Sequence, residues 1–305
     1  MLDKDYIYQF NHIFPKYIID QFLFPLDHYL LFLQRLSINP FIFFNKWSDN
    51  NRQSIINKYW KQNTNLDWKW SLSFPLFSLL EKYVENNANP TIIGLSGLPG
   101  SGKSSLGYWI ESVARDLSLD ISVISLDDFY LPGNEMDIAM SGNPWNVPRG
   151  FPGSHSIELL NQSLETFLKT GVLKTPVFDK SLREGKGDRC GWFEFKPKVL
   201  ILEGWFVGCE PISDLIEIDC FYEDKFNLLL TEFEKDYRSS IQESLIEYSH
   251  IWKKLDKVWH LKASKFNNTI LWKTQQEEEL IKFKGSGLKD KRLNDFIRMI
   301  QTSIP

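Results

Sequence analysis

Thr91-Ile92-Ile93-Gly94-Leu95-Ser96-Gly97-Leu98-Pro99-Gly100-Ser101-Gly102-Lys103-Ser104 is the stretch on which the reading of this chain turns. Its first six residues form a short apolar, β-branched run of the kind that makes a buried parallel strand. The eight that follow match G-x-x-x-x-G-K-[ST] in full, and a helical pattern runs from residue 103 to about 117. Strand, glycine turn and helix in that order are the context in which this pattern binds phosphate. Glycine permits backbone conformations and close approaches that a Cβ would block. Successive N–H groups can then surround phosphate oxygens at the start of a helix whose dipole favours anions. The expected nucleotide-binding residues are Gly97, Leu98, Pro99, Gly100, Ser101, Gly102, Lys103, Ser104 and Ser105. In this pattern the lysine (Lys103) reaches the β- and γ-phosphates of ATP and the hydroxyl of Ser104 ligates Mg²⁺.

The alternation continues downstream. Residues 121–126 read as a second strand, 157–168 as a helix, 199–202 as a third strand, 226–257 as helical and 258–261 as a further strand. Two helices, 272–282 and 290–301, close the chain. Strands alternating with helices predict an α/β fold, a parallel sheet with helices on both faces. Upstream, residues 1–88 are aromatic-rich and read as several short helices, ended by Asn86-Asn87-Ala88-Asn89-Pro90. The predicted organisation is a helical N-terminal extension, 1–88, packed on a phosphate-loop domain, 89–305.

Composition narrows the classes. Of 305 residues 43% are hydrophobic and 24% charged, enough apolar surface to exclude a disordered chain. Aromatics reach 15% with 11 Trp, so large buried rings should dominate the core. The net charge of −4 offers no basic footprint for nucleic acid. No run approaches the roughly 18 apolar residues that span a bilayer, and Met1-Leu2-Asp3-Lys4-Asp5 is no secretory signal. Cys190, Cys209 and Cys220 have no CxxC spacing and read as reduced thiols, with no zinc site. A cytoplasmic protein with no membrane and no nucleic-acid partner is expected.

Two strand ends carry carboxylates. Ser125-Leu126-Asp127-Asp128-Phe129-Tyr130 follows the second strand, where open α/β sheets place their ligands. A carboxylate there can take the proton of an attacking hydroxyl while the loop holds the phosphoryl group in line. Val199-Leu200-Ile201-Leu202-Glu203-Gly204 has the form of a Walker B strand with Glu for the usual Asp, which makes Glu203 a metal candidate beside Ser104.

With these residues in place the chain resembles the P-loop kinases of the pantothenate, uridine and phosphoribulokinase group. Arg149-Gly150-Phe151-Pro152-Gly153-Ser154-His155 resembles the R-G-x-P-G-T-H segment of plant and cyanobacterial-type D-glycerate 3-kinases. Phe178-Asp179-Lys180-Ser181 with Gly187-Asp188-Arg189, and Glu203-Gly204-Trp205, are similar to that family's F-D-K-S…G-D-R and E-G-W segments. The residues from Trp70 to Leu80, Trp272-Lys273-Thr274-Gln275-Gln276-Glu277 and Gly285-Ser286-Gly287-Leu288 extend the likeness from about residue 70 to the C-terminus. Ser156 stands where the family usually has Asp, a change that leaves a helix-capping role possible. Lys273 replaces the usual Arg.

The resemblance implies a P-loop NTPase-type fold and an ATP- and Mg²⁺-dependent kinase of a small anionic hydroxy acid, D-glycerate. It makes Asp127 the general base, with Asp128 assisting or facing the metal. Arg149, His155, Asp179, Lys180 and Arg189 become the substrate-binding candidates. Trp205 and Tyr130 read as pocket walls, and Lys262, Lys265 and Lys273 as candidate lid cations. His12, His28, His250 and His260 read as structural or surface residues. Two other readings stand beside this one: a P-loop kinase for pantothenate or a nucleoside, and a nucleotide-binding regulatory module without catalysis.

Overall fold

The aromatic N-terminal sequence builds its own core. In the computed structural model, which describes residues 25–60, 64–86, 88–214, 229–263, 266–284 and 287–304, the chain forms two compact units. The first takes residues 1–88 and 105–122. Its helices are α1 (Leu26–Arg35), α2 (Pro40–Ser48), α3 (Asn50–Ile56) and α4 (Phe74–Asn86), with most of α5 (Lys103–Asp116). Asn39 and Asp49 cap α2 and α3 through their side chains. A π-helical turn, Trp68–Ser73, leads directly into α4.

Ring stacking organises this unit. Trp47 lies flat on Phe74 at 4.2 Å and Phe44 on Trp70 at 5.3 Å. The Trp47 indole N–H donates to Ser78 Oγ at 2.7 Å, which satisfies the polar handle of a fully buried ring. Arg52 sits over Trp47 and bonds Glu81 at 2.6 Å. On α5, Trp109 stacks on Trp60 at 4.5 Å and donates to Ile56 O at 3.3 Å.

The second unit, 89–104 with 123–305, holds the parallel strands. Strands β1 (Thr91–Gly97), β2 (Ile121–Ser125), β5 (Val199–Gly204) and β6 (Lys257–Leu261) form one sheet in the order β2-β5-β1-β6. β1 pairs in parallel with both β5 and β6, with Leu95 opposite Glu203 and Gly97 opposite Leu261. Every residue of β1 and β5 is buried, so both faces of the sheet centre are covered. The core joins Ile92, Leu200 and Leu202 to Leu160, Leu164 and Phe167 of α7 (Ile157–Thr170) and to Leu245, Tyr248 and Trp252 of α8 (Glu232–Trp252). Helices α6 (Gly133–Ala139), α9 (Phe266–Lys284) and α10 (Asp290–Thr302) complete this unit.

The α/β prediction holds, with three differences in detail. A separate antiparallel pair, β3 (Leu173–Asp179) and β4 (Asp188–Phe195), was not anticipated; Pro176 within β3 argues against a strand, and the pair is a two-stranded sheet of its own. The long helix predicted over 226–257 runs only from Glu232 to Trp252, because the Thr231–Glu234 capping box starts it and the chain turns after Trp252 into β6; residues 226–228 lie outside the described residues. Ser156 stands at the N-cap position of α7 but its hydroxyl makes no capping bond; its backbone N–H is instead tied to Phe129 O at 2.8 Å.

At the start of α8 the buried Glu234 accepts from Thr231 N and Arg298 Nε at 2.9 and 2.7 Å and from the Trp145 indole at 3.1 Å. Burial works against its charge, but Arg298 and Thr231 win and hold the carboxyl down at about 2. A depressed carboxyl stabilises the fold above the unfolded-state value and loses that stabilisation as pH falls toward the folded value. We therefore expect this residue to stabilise the fold at neutral pH, an effect lost as pH falls from about 4.5 toward 2. Urea midpoints of wild type and Glu234→Gln should differ at pH 7 and converge toward pH 2; parallel curves would refute this role.

Candidate active site

The phosphate loop lies between β1 and α5, and two of its glycines are demanded by their neighbours. Gly97 has φ +154°, and a Cβ there would meet Leu261 Cβ and O at 2.9 Å, so β6 closes tightly on the loop's first residue. Gly100 has φ +81°, and a Cβ there would meet Lys273 N at 2.9 Å and Trp272 Cβ at 3.0 Å. The Trp272-Lys273 motif on α9 thus lies directly against the loop.

Lys103 is 7% exposed and donates to Gly97 O at 2.6 Å and Leu98 O at 3.2 Å. Burial pulls its pKa down, with Glu203 and Asp127 opposing that fall. It is not the freely solvated lysine of an ordinary loop. Ser104 Oγ donates to Glu203 Oε1 at 3.1 Å across the ends of α5 and β5. Burial raises the Glu203 carboxyl, offset by Lys103 and by a hydrogen bond from Ser125. Ser101 is buried, and its hydroxyl has no hydrogen-bond partner among the described residues; Ser105 is exposed on the first turn of α5.

Ser104 and Glu203 supply the hard oxygen donors that suit Mg²⁺, which keeps several waters and completes its shell with substrate phosphates. Among the described residues no cluster of three or more His, Cys, Asp or Glu forms a metal cage, so hydroxyl plus carboxylate is the donor set that fits.

The two aspartates diverge. A 3-10 turn, Leu126–Phe129, follows β2; Ser125 Oγ accepts from Asp127 N at 3.3 Å, and Asp128 Oδ2 accepts from Ser125 N at 3.1 Å. Burial, with the adjacent Asp127 charge, pushes the Asp128 carboxyl up to about 6 against that backbone bond. Burial also opposes the Asp127 charge, but the Lys180 ammonium at 2.6 Å and the Tyr130 hydroxyl hold it well below the usual carboxylate range.

Tyr130 connects the residues that gather beyond Asp127. Its ring stacks on His155 at 4.4 Å and meets Phe178 edge-on at 5.0 Å. Its carbonyl accepts from Arg189 Nε at 3.0 Å, and the Arg149 guanidinium lies 6.0 Å from its ring. His155 is buried with Nδ1 2.7 Å from the Tyr248 hydroxyl, while Nε2 has no partner among the described residues. Burial draws its pKa to about 3, so at neutral pH this imidazole is uncharged. Arg189 also carries a buried, unpartnered terminal nitrogen. The structure therefore gathers Asp127, Lys180, Arg149, Arg189 and His155 around Tyr130. Asp179 instead shapes the turn after β3, accepting from Ser181 N and Oγ at 2.8 and 2.7 Å. Arg149 spends its NH1 on the carbonyls of Gly185 and Lys186, at 2.9 and 2.5 Å.

Of the lid candidates, buried Lys273 is paired with Glu277, which also accepts from Leu288 N at 2.8 Å. That carboxylate joins two motif segments eleven residues apart. Lys265, Gly285, Ser286, His12 and Cys220 lie outside the described residues, and Cys190 and Cys209 are free thiols. The Trp205 indole donates to Gly150 O, which ties the strand-end tryptophan to the Arg149 segment. Ser125 and Tyr248 were missed. Ser125 had a signal, a hydroxyl residue before two aspartates at a strand end; Tyr248 had none, since its partner lies 93 residues away.

The chain is 30% identical over 233 residues to a Schizosaccharomyces pombe protein named uncharacterized kinase mug58, a match spanning 73% of this chain and 82% of that protein. It is 30% identical over 242 residues to the probable ATP-dependent kinase TDA10 of Saccharomyces cerevisiae, spanning 72% and 79%. Among solved structures it matches the D-glycerate 3-kinase of Cryptococcus neoformans with TM-score 0.66 and 25% identity, covering 76% of this chain and 87% of that one. No protein-family model matches.

The fit of α9 against the loop can be tested without knowing the acceptor. Gly100→Ala forces a side chain into left-handed backbone, costing about 1–2 kcal/mol, and drives it into Lys273 N. If the loop relieves this strain by moving off its present conformation, a fluorescent ATP analogue must restore that conformation to bind, and its binding should weaken by up to about tenfold. Unchanged binding would show that the loop does not depend on this contact.

Proposed function

The chain belongs to the D-glycerate 3-kinase-like family of P-loop kinases, phosphotransferases with an alcohol acceptor, and from that premise we propose that it transfers the γ-phosphoryl group of ATP to the 3-hydroxyl of D-glycerate. The observation that carries the choice of acceptor is the set of cations about Tyr130: Lys180, Arg149 and Arg189 beside Asp127. A small hydroxy acid presents one carboxylate and one nucleophilic hydroxyl, and this side of the site offers cations for the first and a carboxylate for the second. The activity named for the Cryptococcus neoformans structure supports the same choice.

In this mechanism the loop amides and Lys103 hold the β- and γ-phosphates, with the ammonium exchanging its carbonyl partners for phosphate oxygens. Ser104 and Glu203 would hold Mg²⁺, which when bound neutralises charge on the phosphates. Arg189 and Lys180 orient the acceptor carboxylate by charge-assisted hydrogen bonds. Asp127 accepts the proton of the attacking hydroxyl. Asp128 keeps the strand-end turn in shape through Ser125 N. His155, neutral and stacked, positions Tyr130 rather than binding an anion by charge. A small-molecule anion is thus the proposed partner, in a protein whose described helices include none long and apolar enough to cross a membrane.

ATP-dependent phosphorylation of a panel of hydroxy acids, nucleosides and pantothenate tests the assignment, and D-glycerate should give the highest kcat/KM. Asp127→Asn should lower kcat by about 10²–10⁴ while ATP affinity holds. Arg189→Ala should raise the KM for the acid by about tenfold to a hundredfold, the loss of one charge-assisted bond. A nucleoside or pantothenate as preferred acceptor, or an Arg189 effect confined to ATP, would overturn the reading.

A further inference from the structure

Lys180 holds the one carboxylate that the reaction needs free. Its Nζ lies 2.6 Å from Asp127 Oδ2, and 57% of its side chain is exposed. A carboxylate in such a pair has one oxygen occupied and its negative charge stabilised by the ammonium, which makes it a weaker proton acceptor. Arg149 is committed to two carbonyls and Lys273 to Glu277, while Arg189 uses only its Nε, on Tyr130 O, and keeps a terminal nitrogen for the acceptor carboxylate. Lys180 has no hydrogen-bond partner but Asp127 among the described residues. The lysine end of the pair is the exposed one and is held by this single contact, so an incoming acceptor carboxylate can reach the ammonium and compete for it. Asp127 would not drift when released, because Tyr130 also donates to it and Ser125 accepts from its backbone N–H.

We propose that Lys180 is a specificity-determining catch that blocks Asp127 until the carboxylate of an acceptor draws the ammonium away. The proposal rests on the reading of the acceptor as a small hydroxy acid with Asp127 as proton acceptor. Once Lys180 has turned to the acceptor carboxylate, Asp127 takes the proton of the acceptor hydroxyl. The hydroxyl oxygen then bonds to the γ-phosphorus, the bond from that phosphorus to the β,γ-bridging oxygen breaks, and ADP leaves with the electron pair. The proton on Asp127 is returned to solvent as Lys180 re-pairs. Water carries no anion to move Lys180, so ATP hydrolysis without acceptor is held back. Glycerol, with the same hydroxyls and no carboxylate, should occupy the site without releasing the base.

The wild-type enzyme tests this directly. D-Lactate has the carboxylate and the 2-hydroxyl of D-glycerate but no 3-hydroxyl to phosphorylate. Saturating D-lactate should raise ATP hydrolysis by about tenfold, a modest share of what a freed base can supply. In Lys180→Gln, hydrolysis without acceptor should already be raised and insensitive to D-lactate, and the kcat ratio of D-glycerate to glycerol should collapse. Lys180→Arg should restore both controls. If D-glycerate is phosphorylated but D-lactate leaves wild-type hydrolysis unchanged or lowers it, Lys180 is a binding cation only and the catch is refuted. Failure to phosphorylate any hydroxy acid would instead remove the acceptor assignment on which it rests.

Discussion

A buried ammonium governs the nucleotide side of this molecule. Lys103 has been taken out of water, and the carbonyls that satisfy it, Gly97 O and Leu98 O, belong to its own loop. That arrangement requires the chain to turn sharply at the end of β1, which Gly97 allows, and it requires β1 to be fixed. The strand is fixed because β5 and β6 flank it in parallel, with Glu203 and Leu261 at the same edge as the loop. Glu203 offsets the cost of burying Lys103 and in turn binds Ser104, so the loop and the Walker B-type strand end stabilise each other electrostatically. A buried charge without compensation is expensive, and here the loop carbonyls bond Lys103 while the opposite charge of Glu203 acts on it at longer range.

The acceptor side follows a different rule. Tyr130 touches Asp127 in its own segment and residues from three distant stretches of chain: His155 by stacking, Phe178 edge-on and Arg189 through its carbonyl. Its aromatic faces hold the site's shape, and its polar atoms fix the direction of a carboxylate and a guanidinium. His155 is in turn anchored by Tyr248 of α8. Positioning by packed rings keeps this geometry while leaving Lys180, on an exposed turn, able to move.

Legibility in the sequence tracks the range of the interactions involved. The loop, β1, α5 and the two strand ends were readable because their signals are local: glycines at fixed spacing, β-branched runs and carboxylates directly after them. The β3–β4 pair was not, since Pro176 argues against a strand and the pairing joins segments whose residues only face each other in three dimensions. Ser156 shows the limit from the other side. Its residue type and position both suit a helix cap, yet the bond its backbone makes to Phe129 sets its orientation and the hydroxyl caps nothing. Asp179 was singled out with Lys180 because they are adjacent in the motif, but consecutive residues at a strand end point apart. One faces Asp127 and the other closes its own turn with Ser181.

The adjacent aspartates pose the sharpest question of role, because electrostatics and geometry point to different residues. Proton affinity alone favours Asp128, whose carboxyl at about 6 lies nearer neutrality than that of Asp127. Environments that separate the pKa values of two titratable neighbours commonly mark a division of labour. Asp128 owes its elevated value to burial, and one of its oxygens closes the capping box on Ser125 N. Using it as the base would break the bond that shapes the 126–129 turn, and with it the position of Asp127 and the orientation of Ser125 toward Glu203. Among the described residues Asp127 is bonded at its side chain only to Lys180 and Tyr130, both side-chain donors, so it can exchange a partner without unmaking the backbone. Its low proton affinity reflects the Lys180 pair and would rise when that pair opens. On these grounds the proposed base is the aspartate whose basicity is suppressed by a movable cation, and the aspartate with the better resting pKa is the one that holds the turn together.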